Sequence, residues 1–187
     1  MKADVLGPGM GRTGGDAYYK EAFGAAGKLL ADAAGPRVAI LDTDGWDTHA
    51  YQGASGGSLA GHFANLAVGL TQLRNGLAAS WRDSVVVVVT EFGRTAAING
   101  SSGTDHGTGP VAMLLGGAVR GGRTVTPRPG LATRHLFEGR DLAPTTDIRV
   151  ILKGVLRDHL LLPERHIEDQ VFPNSRAAGG LPRLIRT

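Results

Sequence analysis

The string Asp42-Thr43-Asp44-Gly45-Trp46-Asp47-Thr48-His49 sets three carboxylates and an imidazole within eight residues. Further along, Thr90-Glu91-Phe92-Gly93-Arg94-Thr95 adds a carboxylate and a guanidinium, and Gly103-Thr104-Asp105-His106-Gly107 adds a second Asp and His pair. There are no cysteines, so any metal must be held by oxygen and imidazole nitrogen, and thiolate zinc sites, disulfides and cysteine nucleophiles are excluded together. A divalent cation with an open position for water or substrate takes such a set, zinc first and manganese or calcium as alternatives. Asp47, His49, Glu91, Asp105 and His106 are the candidate ligands. A cation held there lowers the pKa of a water or polarises a phosphoryl-type oxygen, and the planar fork of Arg94 suits an anion. Arg94 and Glu91 are therefore the candidate catalytic residues, and the expected partner is a small anionic ester.

Plainer roles compete with each of these. An Asp just after a strand commonly caps a turn, which is the simpler role for Asp42 and Asp44. Glu91 can pair with Arg94 as a structural ion pair, and Trp46 suits loop packing better than substrate stacking. His62, His135, His159 and His166 lack a glycine-flanked acidic neighbourhood and read as surface or satisfied core residues.

Elements that position these groups follow from periodicity. Tyr19, Ala22, Phe23, Ala26, Leu29, Leu30 and Ala33 recur at helical spacing until Gly35-Pro36. Leu59, Phe63, Leu66, Leu70, Leu73 and Leu77 step by threes and fours from Ser58, which predicts a second amphipathic helix. Val38–Leu41 and Val85–Val89 are short continuous apolar runs, each followed by a polar loop, the pattern of strands buried on both faces of a parallel sheet. Val111–Leu115 is a third run closed by Gly116-Gly117, and Ile148, Ile151, Leu152, Val155 and Leu156 predict a last helix capped by Thr145 or Thr146. This order predicts a layered α/β fold with its ligands outside the strand ends. The expected organisation is one domain, with a Gly-rich start and helix over 1–35, a metal-site core over 36–162 and a surface-wrapping tail over 163–187.

Composition narrows the function classes. With 187 residues, 42% hydrophobic and 20% charged, the chain can bury one sizeable core. A formal charge of +3 from scattered basic residues, with only a loose Arg group at the C-terminus, argues against nucleic acid. No apolar run approaches the roughly 20 residues that span a bilayer, and the first residues lack the apolar stretch of a signal peptide.

The same residues carry a family resemblance. Gly45-Trp46-Asp47-Thr48-His49 with Gln52, Thr90–Thr95, Gly103–Gly107, Gly116-Gly117, Gly121-Gly122 and Asp141-Leu142-Ala143-Pro144-Thr145-Thr146-Asp147 follow in order, and in this the chain resembles the DUF1501 family, which is grouped with the alkaline phosphatase and sulfatase superfamily. The resemblance implies helices sandwiching a mostly parallel sheet, with Asp47, His49 and His106 binding one metal and Asp44 as a substitute for Asp47. Where that superfamily places an Asp-His pair for a second metal, this sequence has Glu91-Phe92, keeping a carboxylate and losing the imidazole. Superfamily enzymes carry a Ser, Thr or Cys nucleophile and a further metal-binding Asp near their start. Here only Thr13 and Asp16 offer themselves, with no preceding strand, so the chain is expected to be the C-terminal half of a longer protein, exported through a twin-arginine signal in its parent. Two alternatives accompany the hydrolase expectation: a non-catalytic member that keeps the fold for binding, and an incomplete product that self-associates through an exposed sheet edge.

Overall fold

A computed structural model describes residues 15–127 and 129–186. They form two compact units, one built from residues up to Trp81 together with Ile98–Asp105, the other from Arg82–Ala97 and from His106 onward. Thr13 lies outside the described residues.

The first unit is a helix pair, α1 (Asp16–Ala31) and α2 (Ser58–Leu77), matching both periodic segments. Tyr19, Phe23 and Ala26 of α1 are buried with Leu66, Leu73 and Leu77 of α2, and the Tyr19 and Phe23 rings stack at 5.5 Å. Burial pushes the Tyr19 phenol above its ordinary pKa. Glycines bring the two backbones together. A Cβ on Gly27 would lie 2.5 Å from the Leu73 carbonyl oxygen, and one on Gly76 would lie 2.7 Å from the Gly24 carbonyl oxygen. Those neighbours are backbone and cannot swing aside. Gly27→Ala is therefore expected to destabilise this unit by about 1–3 kcal/mol through overpacking. Gly61→Ala, also on α2 but with nothing within 4 Å of the added carbon, is expected to stabilise it by about 0.5–1 kcal/mol. Denaturant unfolding of the two variants beside the parent checks the contrast, and equal midpoints would contradict it. Asp16, the candidate for the metal-binding Asp near the start, sits in the first turn of α1 and pairs with Lys20 at 2.5 Å.

The second unit holds four short strands: β1 (Val86–Val88), β2 (Gly93–Arg94), β3 (His106–Gly107) and β4 (Met113–Leu115). They form two separate two-stranded ladders, β1 with β4 and β2 with β3, and both are antiparallel. The α3 helix (Ile148–Asp158) contributes Ile151 and Val155 to a core with Val85, Leu114, Leu184 and Ile185. Then α4 (Glu164–His166) runs into a turn of π-helix over Ile167–Val171.

This corrects the expected fold. The layered αβα architecture with a mostly parallel, alkaline phosphatase-like sheet does not form among the described residues. The valine run does become a strand, but its hydrogen-bonding partner is Met113–Leu115 running the opposite way, and Val89 at its end is 51% exposed. Val38–Leu41 joins no ladder, and Ile40 is 82% exposed. β-branched residues favour extended backbone whatever lies beside it, so an apolar run does not specify the direction, or the existence, of a partner strand. In the C-terminal segment, Ile167, Leu184 and Ile185 are buried.

The cap of α3 is Asp147 rather than Thr145 or Thr146. Its carboxylate accepts from the Arg149 backbone N–H at 2.9 Å and from the Arg149 guanidinium. The guanidinium hydrogen bond first, then the backbone one, holds the carboxyl below its ordinary value of 3.8. A lowered pKa means that the folded state favours the ionised form. Its stabilisation is thus present above about pH 4, the ordinary carboxylate range, and is lost as pH falls through the lowered value. Asp147→Ala is expected to cost about 1 kcal/mol at neutral pH and progressively less in acid. Unfolding free energies of both proteins measured at pH 7 and in acid check the sign. No helix among the described residues is long and apolar enough to cross a membrane.

Candidate metal centre

In the first unit, the loop over residues 42–52 is fastened before it presents any ligand. Gly45 takes a φ of +83° and lies against the His62 ring, where a Cβ would be 2.7 Å from Cε1. The following residue, Trp46, packs on His62 and Phe63 of α2 at ring separations of 5.5 and 5.2 Å and donates from Nε1 to Thr43 Oγ1. Tyr18 of α1 donates to the Asp42 carbonyl at 2.7 Å. Trp46 is thus an anchor, as its packing role implied, and His62 serves the same anchoring rather than a cation.

Beyond Trp46 two consecutive tight turns follow, with Thr48 N–H on the Trp46 carbonyl and His49 N–H on the Asp47 carbonyl. Burial alternates through them: Thr48 is buried while Asp47 and His49 are exposed. The buried Thr48 hydroxyl donates to Gln52 Oε1 at 2.8 Å, and the Thr104 hydroxyl donates to the same oxygen at 2.7 Å. Gln52 thereby clips the 42–52 loop to the 98–105 loop. Backbone bonds continue the seam, from Thr104 N–H to the Thr48 carbonyl and from Tyr51 and Gln52 N–H to the Ser101 and Ser102 carbonyls. Gly103 lets the chains touch, since a Cβ there would fall 2.2 Å from the His49 carbonyl.

This seam brings three of the expected ligands together. His49 Nε2 lies 3.1 Å from the Asp47 carboxylate, and its Nδ1 lies 3.4 Å from Asp105 Oδ1. All three side chains are about half exposed, with 48%, 48% and 55% for His49, Asp47 and Asp105. Asp44 is exposed on the same loop, and its charge helps to raise the Tyr18 and Tyr19 phenols. Asp47, and not Asp44, is the carboxylate beside His49.

The remaining candidates belong to the second unit. In the β2–β3 ladder Arg94 is directly opposite His106. The Phe92 ring lies against the His106 ring at 4.2 Å and 33°. Glu91 is exposed in the turn before β2, after Thr90, whose hydroxyl donates to the Phe92 carbonyl. Asp141 braces this region: it is 2% exposed, its Oδ2 accepts from the Thr108 hydroxyl at 2.9 Å, and its Oδ1 lies 2.9 Å from Arg140 Nε, off the hydrogen-bonding angle. Thr95 bridges to the same residue through the backbone.

Two residues with defined roles escaped sequence reasoning. Asn99 spans four partners, donating to the His49 carbonyl and to Asp105 Oδ1 at 2.9 Å each and accepting from the Ser101 and Gly103 N–H groups. Its place in the Gly/Ser-rich stretch Asn99-Gly100-Ser101-Ser102-Gly103 is a turn signal that could have found it. Asp141 stood in a recognised string but carried no assigned role.

Donor chemistry fits a cation at the His49–Asp47 edge. A tetrahedral ion with bonds of about 2.0–2.1 Å keeps its ligand atoms about 3.3 Å apart, close to the 3.1 Å between His49 Nε2 and Asp47. Against known families, the model for "Protein of unknown function (DUF1501)" matches residues 13–169. No curated protein and no solved structure matches the chain.

Proposed function

The chain belongs to the DUF1501 family, and from that premise we propose that it is a metal-dependent hydrolase of small anionic esters, phosphate or sulfate, in which Asp47 and His49 chelate one divalent cation and His106 is the third ligand that the order of the motifs implies. The observation that carries this reading is the His49–Asp47 pair at 3.1 Å, fastened from both flanking loops. Each of Asp47, His49 and His106 is exposed and offers a carboxylate oxygen or an imidazole nitrogen. The affinity with alkaline phosphatases and sulfatases enters through the order of the motifs alone.

When bound, such a cation supplies Lewis acidity, lowering the pKa of a water and polarising the ester oxygen. The side chains do the rest. Asp47 and His49 fix where the reacting oxygen sits, and half-exposure leaves a substrate free to approach. Arg94, opposite His106 in the β2–β3 ladder, offers a bidentate fork to a tetrahedral anion. Glu91 supplies a second exposed carboxylate near that ladder.

A second reading, a non-catalytic binding member of the family, is favoured by Phe92. Its ring covers one face of His106, and Phe92 stands at the motif position where the superfamily carries a second imidazole ligand. One experiment separates the two readings. The purified chain is assayed with aryl phosphate and aryl sulfate esters in added zinc, manganese or calcium, with metal content measured in parallel for the parent, His49→Ala and His106→Ala. Turnover that Asp47→Ala abolishes supports the hydrolase. Metal binding without turnover supports the binding protein, and equal metal content in all three proteins rejects the metal-dependent hydrolase.

A further inference from the structure

We propose that Asp105, held by Asn99, is a positioning residue that fixes the His49 ring rather than a direct ligand of the cation. The inference rests on the metal-site reading above and deepens it. The two nitrogens of an imidazole point away from each other, so a single cation cannot sit against both. Nε2 is the nitrogen beside Asp47, at 3.1 Å, and Nδ1 is the nitrogen beside Asp105, at 3.4 Å. A cation shared by Nε2 and Asp47 therefore lies across the ring from Asp105.

Metal-bound histidines characteristically donate their other N–H to a carboxylate or carbonyl, which sets the tautomer and the ring plane. Asp105 Oδ1 occupies that position. The same oxygen accepts from Asn99 Nδ2 at 2.9 Å, and this bond points it at the ring. The Asn99 amide group also donates to the His49 carbonyl, so one side chain references the carboxylate to the backbone of the residue that it orients. Asn99 is itself immobilised, because its Oδ1 accepts from both Ser101 and Gly103 N–H groups at 2.9 and 3.0 Å. The contact from Nδ1 to Asp105 is longer than an ordinary N–H···O bond. Coordination at Nε2 would make the Nδ1 proton more acidic and so strengthen this contact.

Two readouts on the full chain test this. In the first, ¹³C relaxation of the His49 ring C–H groups is measured without metal in the parent, Asp105→Ala and Asn99→Ala. Both substitutions are expected to raise ring mobility while amide resonances away from the two loops stay in place. In the second, the proteins are loaded with ¹¹³Cd. Asp105→Ala is expected to weaken cadmium binding about 10–100-fold, the usual cost of losing an outer-shell partner, and to leave the ¹¹³Cd resonance where the parent has it. Asp47→Ala is expected to displace or abolish that resonance. A ¹¹³Cd shift in Asp105→Ala makes Asp105 a ligand and overturns the proposal, as does unchanged ring mobility in both variants. If the parent binds no cadmium, the metal-site reading fails, and the ring mobility alone then decides whether Asp105 and Asn99 position His49.

Discussion

Lys153→Met is expected to destabilise the second unit by about 3–5 kcal/mol, the cost of removing one partner of a buried ion pair. Lys153 is 2% exposed, and its ammonium donates to Glu168 Oε1 and to the Ser175 carbonyl, both at 2.7 Å. The Glu168 side chain is itself 12% exposed, and its Oε2 has no hydrogen-bond partner among the described residues. The pair joins α3 to the π-helical turn over Ile167–Val171 and to the loop after it. Removing the ammonium leaves a carboxylate enclosed without its counter-ion, and the desolvation of that charge, more than the lost attraction, sets the size of the effect. The charge-free double variant Lys153→Met with Glu168→Leu is therefore expected to recover most of the loss. Denaturant unfolding of the parent, the single and the double variant checks both statements. A single variant within 1 kcal/mol of the parent, on the scale usual for exposed pairs, would contradict the buried-pair account.

His49→Ala is expected to lower zinc affinity by more than the roughly 10–100-fold that an outer-shell substitution costs, because it removes the imidazole arm of the proposed Asp47–His49 chelate. Asp47 remains in that variant as a single, half-exposed carboxylate, with its partner nitrogen gone. The fold is expected to survive, since His49 is exposed while the seam beneath it is carried by Thr48, Gln52 and Thr104. Competition against a chromophoric chelator measures the affinity, and the unfolding midpoint confirms that the variant is folded. Zinc affinity equal to that of the parent would remove His49 from the ligand set.

Much of this protein was legible in local pattern. The α1 and α2 helices were readable because their apolar residues recur at 3–4 spacing along segments of 16 and 20 residues, and a helix closes its own hydrogen bonds. The Asp47–His49 pair was readable for a similar reason: residues two apart in tight turns share a side, whatever the rest of the chain does. The cap of α3 was misplaced by one or two residues, because Thr145, Thr146 and Asp147 are all competent capping types and only the helix start selects among them.

What the sequence determined by itself was chemistry and short-range form: donor types limited to oxygen and imidazole nitrogen in the absence of cysteine, two glycine-flanked acidic loops, and the helices. Tertiary structure decided everything that needed two distant segments to meet. It chose an antiparallel partner for Val86–Val88 and left Val38–Leu41 out of any ladder. It placed Asp105 beside His49 across 56 residues, through the Asn99 and Gln52 contacts. A strand's hydrogen bonds and a loop's neighbours lie on other parts of the chain, so their energies depend on contacts that no local window contains.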